Sequence, residues 1–138
     1  MEDEREVILR ELMKEHPILD MVSFTELDLQ EKLKENAFQV IKYQDLYNRE
    51  KMAYEKLEEL MEVLVGECYD HYRFDEDRGL LKTEIEKYYL PKDIKIKQMK
   101  GILRKQKVKV EFFQMCMSGL KQMAWNMKEF GQNERKGI

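Results

Sequence analysis

The chain has 138 residues, which predicts one domain, and its 38% charged content with only two prolines and six glycines is typical of a helix-rich protein. Its net charge is −3, and no apolar run is long enough to cross a bilayer. The first six residues are mostly acidic where a signal peptide starts basic, so we expect a cytoplasmic protein with no membrane partner.

Residues 1–22 are predicted to form a short helix and a connector. Apolar side chains recur near helical spacing in the range Asp3–Glu15, and Pro17 ends this helix. The range His16–Val22 is then a connector. We expect His16 at the surface, because a histidine beside a proline at a helix end is seldom a ligand or a base. The recurring apolar residues of the helix are Val7, Ile8, Leu12 and Met13.

A much longer helix is predicted at the start of the segment 23–138. Ser23 and Glu26 have the spacing of a capping box, and no proline interrupts the apolar heptad lines in the range Phe24–Arg73. Such a helix is about 75 Å long, whereas a compact chain of this size has a radius of gyration of about 14 Å. It must therefore lie against a partner of similar length. Polar residues at seam positions either fix the register or drift toward solvent, and they are Asn36, Glu50, His71, Gln106 and Lys109.

The segment Tyr69–Gly79 is rich in aromatic and charged residues. Its run Asp75–Asp77 lacks the spacing of a calcium loop or a two-metal nuclease site, and Cys68 with His71 gives only half of a zinc site. Cys68 and Cys116 fall on apolar lines and are predicted to be buried, reduced thiols, with a disulfide as the alternative. We expect no metal and no cofactor. Since no catalytic constellation is present, we also expect no enzymatic activity.

The stretch Pro91–Phe130 is predicted to be the second long helix. The range Leu80–Tyr89 makes a short helix before it, and Pro91 suits its first position. Three apolar lines form a stripe wide enough to contact more than one helix. We expect an all-α fold, a long antiparallel helical hairpin with short flanking helices, whose remaining apolar surface is covered by oligomerisation. The residues assigned to that contact are Phe113, Cys116, Met117, Leu120, Met123 and Met127.

Basic residues concentrate at the start of this second helix. The range Lys92–Lys109 holds eight lysines and arginines and one acid, Asp93, so the rest of the chain is about ten charges negative. A core helix needs no such lysines, whereas a basic helix face forms a track for the phosphates of a single strand. The residues assigned to DNA binding are Arg73, Lys92, Lys95, Lys97, Lys100, Arg104, Lys105 and Lys107.

Aromatic residues lie close in sequence to this basic run. Single-stranded nucleic acid is held in basic grooves with aromatic faces on which bases stack. Aromatic residues at the corner of a helical bundle also serve as packing residues, and the sequence leaves both readings open. The residues concerned are Tyr69, Tyr72, Phe74, Tyr88 and Tyr89.

Three motifs occur in order along the chain after Phe24. They are the pattern Lys42-Tyr43 with Leu46-Tyr47 and Glu50, the run Tyr69-Asp70-His71-Tyr72, and the residues Phe113, Cys116 and Ser118-Gly119 with the closing Trp125–Phe130 stretch. These motifs resemble the first helix, the aromatic-acidic motif and the C-terminal helix of the UvsY-like recombination mediators of tailed bacteriophages. The size and the all-helical pattern agree with that family.

The resemblance implies a ring of six or seven helical subunits in the host cell cytoplasm that consumes no nucleotide. It implies binding of single-stranded DNA on the outside of the ring. It further implies loading of a RecA-like phage recombinase, UvsX, onto strands coated by the phage single-stranded-DNA-binding protein, in DNA recombination, repair and replication. Some family members contact DNA through a lysine and an arginine just before the aromatic-acidic motif, where this chain has Gly66 and Cys68. The DNA contact is therefore assigned to the Lys92–Lys109 run, supported by Arg73.

Two other classes of protein fit parts of the sequence. A coiled-coil adaptor or scaffold that binds only proteins also predicts an oligomer, with lysines that solvate one face or pair with acids of a neighbouring subunit. A metal-dependent nuclease ranks behind it, because it requires a magnesium site that the sequence does not supply. Binding of a labelled single strand distinguishes the mediator from the adaptor.

Overall fold

The computed structural model describes residues 3–25, 27–75 and 79–136, with the backbone alone for 134–136. Every regular element in these ranges is helical, which confirms the all-α prediction. The elements are α1 (Glu4–Glu15), α2 (Ile18–Met21), α3 (Leu29–Asp70), a π-helical turn (His71–Asp75), α4 (Lys82–Glu84), a second π-helical turn (Ile85–Tyr89), a 3₁₀ turn (Leu90–Lys92) and α5 (Ile94–Lys136). None of the helices in the described ranges combines the length and the apolar character that crossing a bilayer requires.

The chain divides into two compact units. The first unit comprises Met1–Lys51 and Val108–Ile138, and the second comprises Met52–Lys107. Both long helices, α3 and α5, contribute a segment to each unit. The predicted boundary at residue 22 does not coincide with this division, because α1 and α2 pack into the core of the first unit.

Helix α1 begins and ends as its sequence predicts. Asp3 is the N-cap, and its Oδ1 accepts a hydrogen bond from the Arg5 amide at 3.4 Å. The acidic residues of the first turn, Glu4 and Glu6, favour the positive end of the helix dipole. The helix stops at Glu15, ahead of Pro17, and a single helical turn, α2, occupies the predicted connector.

Helix α3 begins at Leu29, later than the predicted start at Phe24. The hydroxyl of Ser23 donates to the carbonyl of Leu19 at 2.7 Å. The Asp28 carboxylate accepts from the amide and the hydroxyl of Thr25 at 2.6 and 3.0 Å, which lowers the pKa of Asp28. The second member of the predicted capping box, Glu26, lies outside the described residues, and the helix that the box was expected to start begins only at Leu29.

The core of the first unit has two apolar clusters. In the larger cluster α1 and α3 pack on the middle of α5, and its buried members are Leu12, Tyr43, Phe112, Phe113, Cys116 and Leu120. The smaller cluster contains Leu29, Met123 and Met127, with the rings of Phe24 and Phe130 edge to face at 6.0 Å. Full burial of each such side chain stabilises the fold by about 1.5–3 kcal/mol.

His16 is half-buried against the larger apolar cluster, so the prediction that it lies at the surface is wrong. Its Nδ1 lies 2.8 Å from the hydroxyl of Tyr43, and its ring meets Phe113 edge to face at a centroid distance of 5.2 Å. Burial lowers the pKa of His16, an effect that nearby Glu15 opposes and Lys42 reinforces. The histidine that follows α1 therefore fills the corner where the chain turns into α2.

Asn36 is the polar seam residue that the structure places in a core. Its side chain is 7% exposed, and its Nδ2 donates to the Leu120 carbonyl at 2.9 Å. This hydrogen bond ties α3 to one register on α5. His71, by contrast, is exposed at the end of α3.

The residues assigned to a subunit contact lie largely inside the first unit. Phe113, Cys116, Leu120, Met123 and Met127 are each at most 3% exposed, and Met117 is half-buried. The segments that cover them are α1, α2, the start of α3 and the residues between α2 and α3. An intersubunit contact through these five side chains would require that cover to be displaced. The large apolar side chains that this unit does expose include Leu19, Phe38, Ile41, Met115 and Trp125.

Candidate nucleic-acid interface

The residues assigned to DNA binding all lie in the second unit, and all are exposed. Arg73 belongs to the first π-helical turn and Lys92 to the 3₁₀ turn, while the other six lie on α5. The structure thus brings every member of the predicted set to the surface of one unit.

Four of these cations share one face of α5, which we call the basic face: Lys97, Lys100, Arg104 and Lys107. Their spacing of three, four and three residues places them within one stripe of an α-helix. The buried side of the same segment is anchored by Ile96, which is 2% exposed. Ile96 thus packs this part of α5 into the second unit, while the four cations of the basic face are exposed to solvent.

The charge of the basic face is not neutralised within the described part of the chain. The ion pairs found there within 4.0 Å join other residues, such as Arg5 with Glu111 and Arg49 with Asp45. None of them involves a side chain of the basic face, Lys92 or Lys95. A run of exposed cations without carboxylate partners attracts a polyanion.

The acid within the basic run, Asp93, caps α5. Its Oδ1 accepts from the amides of Lys95 and Ile96 at 2.9 and 3.3 Å, and its Oδ2 accepts from the Tyr72 hydroxyl at 2.6 Å. The Tyr72 hydrogen bond is the main reason that the pKa of Asp93 is lowered. Since α5 begins after Asp93, the prediction that Pro91 takes its first position is wrong, and Pro91 lies in the preceding 3₁₀ turn.

Gly66 and Cys68, the two positions where some members of the resembled family place cations, carry no charge for DNA here. Gly66 is exposed, and Cys68 is 7% exposed. Burial, with the Asp93 carboxylate beside it, raises the pKa of the Cys68 thiol, and burial raises the pKa of Cys116 to about 11. Both cysteines are free and buried, in agreement with the prediction of buried, reduced thiols.

Arg73 has a structural partner. Its guanidinium donates to the Leu80 carbonyl at 3.2 Å, next to Gly79, whose φ of +59° lies in the left-handed region that favours glycine. This hydrogen bond joins Arg73 to the residue that follows Gly79, and the Arg73 side chain remains exposed.

The aromatic residues divide between packing and exposure. Tyr72 and Tyr89 are half-buried with ring centroids 5.4 Å apart, whereas Tyr88 is 53% exposed and Phe74 is 73% exposed. A cleft of about 530 Å³, which we call the tyrosine cleft, is lined by Tyr72, Glu84, Tyr88, Tyr89 and Lys92. The sequence analysis did not single out this set, although Glu84 precedes Tyr88 by four residues in one continuous helical segment and therefore lies on the same face.

Metal-ligating side chains do not converge in the described ranges, where no group of three histidine, cysteine, aspartate or glutamate residues has the geometry of an ion site. Asp75 lies 3.4 Å from the Nδ1 of His71. The rest of the acidic run that follows, Glu76 and Asp77, lies outside the described residues.

No protein-family model, curated protein or solved structure matches this chain. The resemblance to the UvsY-like mediators therefore stays a prediction. The features from which a function can be inferred are the basic face of α5 and the tyrosine cleft.

Proposed function

We propose that this chain is a non-enzymatic recombination mediator. It binds single-stranded DNA and promotes loading of a RecA-like phage recombinase onto strands coated by single-stranded-DNA-binding protein. The observation that carries the proposal is the exposed basic face of α5, whose four cations have no carboxylate partner among the described residues. Phosphates that replace the counterions of these cations supply the binding free energy.

A single strand suits this surface better than a duplex. Duplex recognition in the major groove uses side chains at the start of a helix to read base edges. The start of α5 is instead occupied by the Asp93 cap and its bond to Tyr72. The exposed ring of Tyr88 offers a stacking surface that only an unpaired base reaches.

The mediator is further proposed to be a long helical hairpin that assembles into a ring of six or seven subunits. Two contacts in the first unit support an antiparallel hairpin. Asn36 of α3 hydrogen-bonds to Leu120 of α5, and Tyr43, which lies further along α3, contacts Phe113, which lies earlier in α5. Repetition of the basic face around a ring strengthens binding through effective concentration. Native mass spectrometry tests the ring, since a monomer or dimer would contradict it.

Fluorescence anisotropy with a labelled oligonucleotide tests strand binding. The variant with Lys97, Lys100 and Arg104 all changed to alanine is expected to lose at least tenfold in affinity at low salt, because about three phosphate contacts disappear. The matched control changes three exposed lysines of the first unit, Lys14, Lys34 and Lys121, and removes the same charge. Equal losses in both variants would show that net charge alone drives binding.

The loading step has its own test. The reaction contains a single strand coated by single-stranded-DNA-binding protein, together with a RecA-like phage recombinase. The chain is expected to shorten the lag before the recombinase begins its DNA-dependent hydrolysis of ATP. The triple variant of the basic face should leave the lag unchanged. A wild-type chain that binds DNA and leaves the lag as it was would contradict the mediator role.

A protein-only adaptor is the second candidate, and exposed apolar side chains favour it. In the second unit Met52, Leu60 and Val63 of α3 are each more than half exposed, as a surface for another helix requires. The adaptor predicts no strand binding at low or moderate salt. Anisotropy therefore decides between the two candidates.

A further inference from the structure

The tyrosine cleft has the composition of a nucleobase pocket. Its lining combines three tyrosine rings with one carboxylate, Glu84, and one ammonium, Lys92. Its volume of about 530 Å³ falls within the range of small-molecule sites. We propose that this cleft holds one unstacked base of the bound strand and prefers cytosine to thymine. The proposal rests on the proposed single-stranded DNA binding and adds a site to the basic face.

The rings of the cleft are positioned before a ligand arrives. Tyr72 is fixed by its 2.6 Å hydrogen bond to Asp93, the cap of α5. Tyr89 packs against Tyr72 with an interplanar angle of 48°, so the two rings do not stack face to face. Tyr88 is 53% exposed, with the Lys87 ammonium 5.4 Å from its ring centroid. A base that enters the cleft therefore stacks on the exposed ring of Tyr88, beside the fixed rings of Tyr72 and Tyr89.

The two charged residues of the cleft have different roles. Lys92 and Glu84 both line it, and in the described part of the chain no ion pair within 4.0 Å joins them. The ammonium of Lys92 meets the phosphate of the bound nucleotide, and Lys87 lies close by. The carboxylate of Glu84 accepts a hydrogen bond from the exocyclic amino group of cytosine. Thymine presents its O4 acceptor at that position, so two acceptors, O4 and the Glu84 carboxylate, face each other and no hydrogen bond forms.

The pocket has a place on the proposed path of the strand. Lys92 belongs to the predicted DNA-binding set and lies in the turn that leads into α5, so the cleft and the basic face belong to the same unit. A strand that follows the basic face toward the start of α5 reaches the cleft at Lys92. Tyrosine provides the stacking surface there, and stacking of one base contributes an affinity factor of about 5 to 100.

Anisotropy with labelled oligo-dC and oligo-dT of equal length tests the pocket. The wild-type chain is expected to bind oligo-dC about tenfold more tightly. The Glu84→Gln variant should reduce this ratio to about one, because the neutral amide hydrogen-bonds either base. Tyr88→Ala should weaken binding to both strands about 5- to 100-fold. The control is Phe74→Ala, which removes an exposed ring of the same unit outside the cleft and should change affinity less than about twofold.

Photocrosslinking locates the base directly. Oligo-dC carrying 5-iodo-2′-deoxycytidine is irradiated with the full chain, and peptide mass spectrometry is expected to place the crosslink at Tyr88 or Tyr89. Crosslinks confined to the first unit would overturn the pocket. Equal binding of oligo-dC and oligo-dT, or unchanged affinity in Tyr88→Ala while the basic-face variant loses affinity, would overturn the pocket and leave the proposed function intact. Absence of all strand binding by the wild-type chain would instead reject the proposed function.

Discussion

The environment of His16 shows how one side chain acquires a role that its sequence neighbours do not indicate. The rings around it, Tyr43, Phe112 and Phe113, come from α3 and α5. The local sequence shows a histidine between an acid and a proline, which is typical of a surface position. Long-range packing decides the outcome, and no local pattern contains that information.

The half-buried His16 predicts a pH dependence of stability. Its pKa is lowered in the folded chain, so its contribution is fully present above the unfolded value of 6.5 and is lost as the pH falls through the folded value. The wild-type free energy of unfolding should therefore fall between about pH 7.5 and about pH 5.5, and the His16→Gln variant should fall less. Denaturant titrations at both pH values measure the difference.

Tyr43→Phe is the control for this pH dependence. It removes the hydroxyl 2.8 Å from His16 and leaves the histidine half-buried. Since burial is the largest cause of the lowered pKa of His16, the decline toward acid pH should persist in this variant. Loss of the decline in Tyr43→Phe, with its retention in His16→Gln, would contradict the assignment.

At the scale of elements, the long helices could be predicted and their ends could not. The heptad lines predict which parts of the sequence form α3 and α5, because a long helix must bury its apolar stripe along its whole length. The start of α3 lies later than predicted, because Thr25 and Asp28 pair two residues beyond Ser23 and the helix begins after that pair. The predicted start of α5 was wrong because Pro91 and Asp93 both suit a helix start. The cap at Asp93 is favoured because it also accepts the hydrogen bond from Tyr72.

The Asp93 cap predicts a graded loss of stability. Asp93→Ala removes the acceptor of two helix amides and of the Tyr72 hydroxyl, so the free energy of unfolding should drop by about 1–2 kcal/mol. Asp93→Asn keeps a side-chain oxygen at the cap and should lose less. Urea denaturation of the three proteins measures the order. An alanine variant as stable as the wild type would show that the cap does not hold the start of α5.

At the scale of the whole molecule, the sequence predicts an all-α chain with one basic segment, and all eight predicted DNA-binding residues are exposed in one unit. It did not reveal that α1 and α2 cover the apolar stripe of α5, because a stripe that needs a partner does not specify which segment supplies it. It also did not group Glu84 and Tyr88 with Tyr72 and Lys92. That grouping depends on how the short helical turns between α3 and α5 fold together.

The salt dependence of strand binding tests the central claim, that the basic face of α5 binds single-stranded DNA. The logarithm of the affinity should fall linearly with the logarithm of the salt concentration, with a slope of about −0.7 for each phosphate neutralised. Changing Lys97, Lys100 and Arg104 together to alanine should reduce the steepness of that slope by about 2, with unchanged helix content by circular dichroism. A folded triple variant with the wild-type slope would contradict the account.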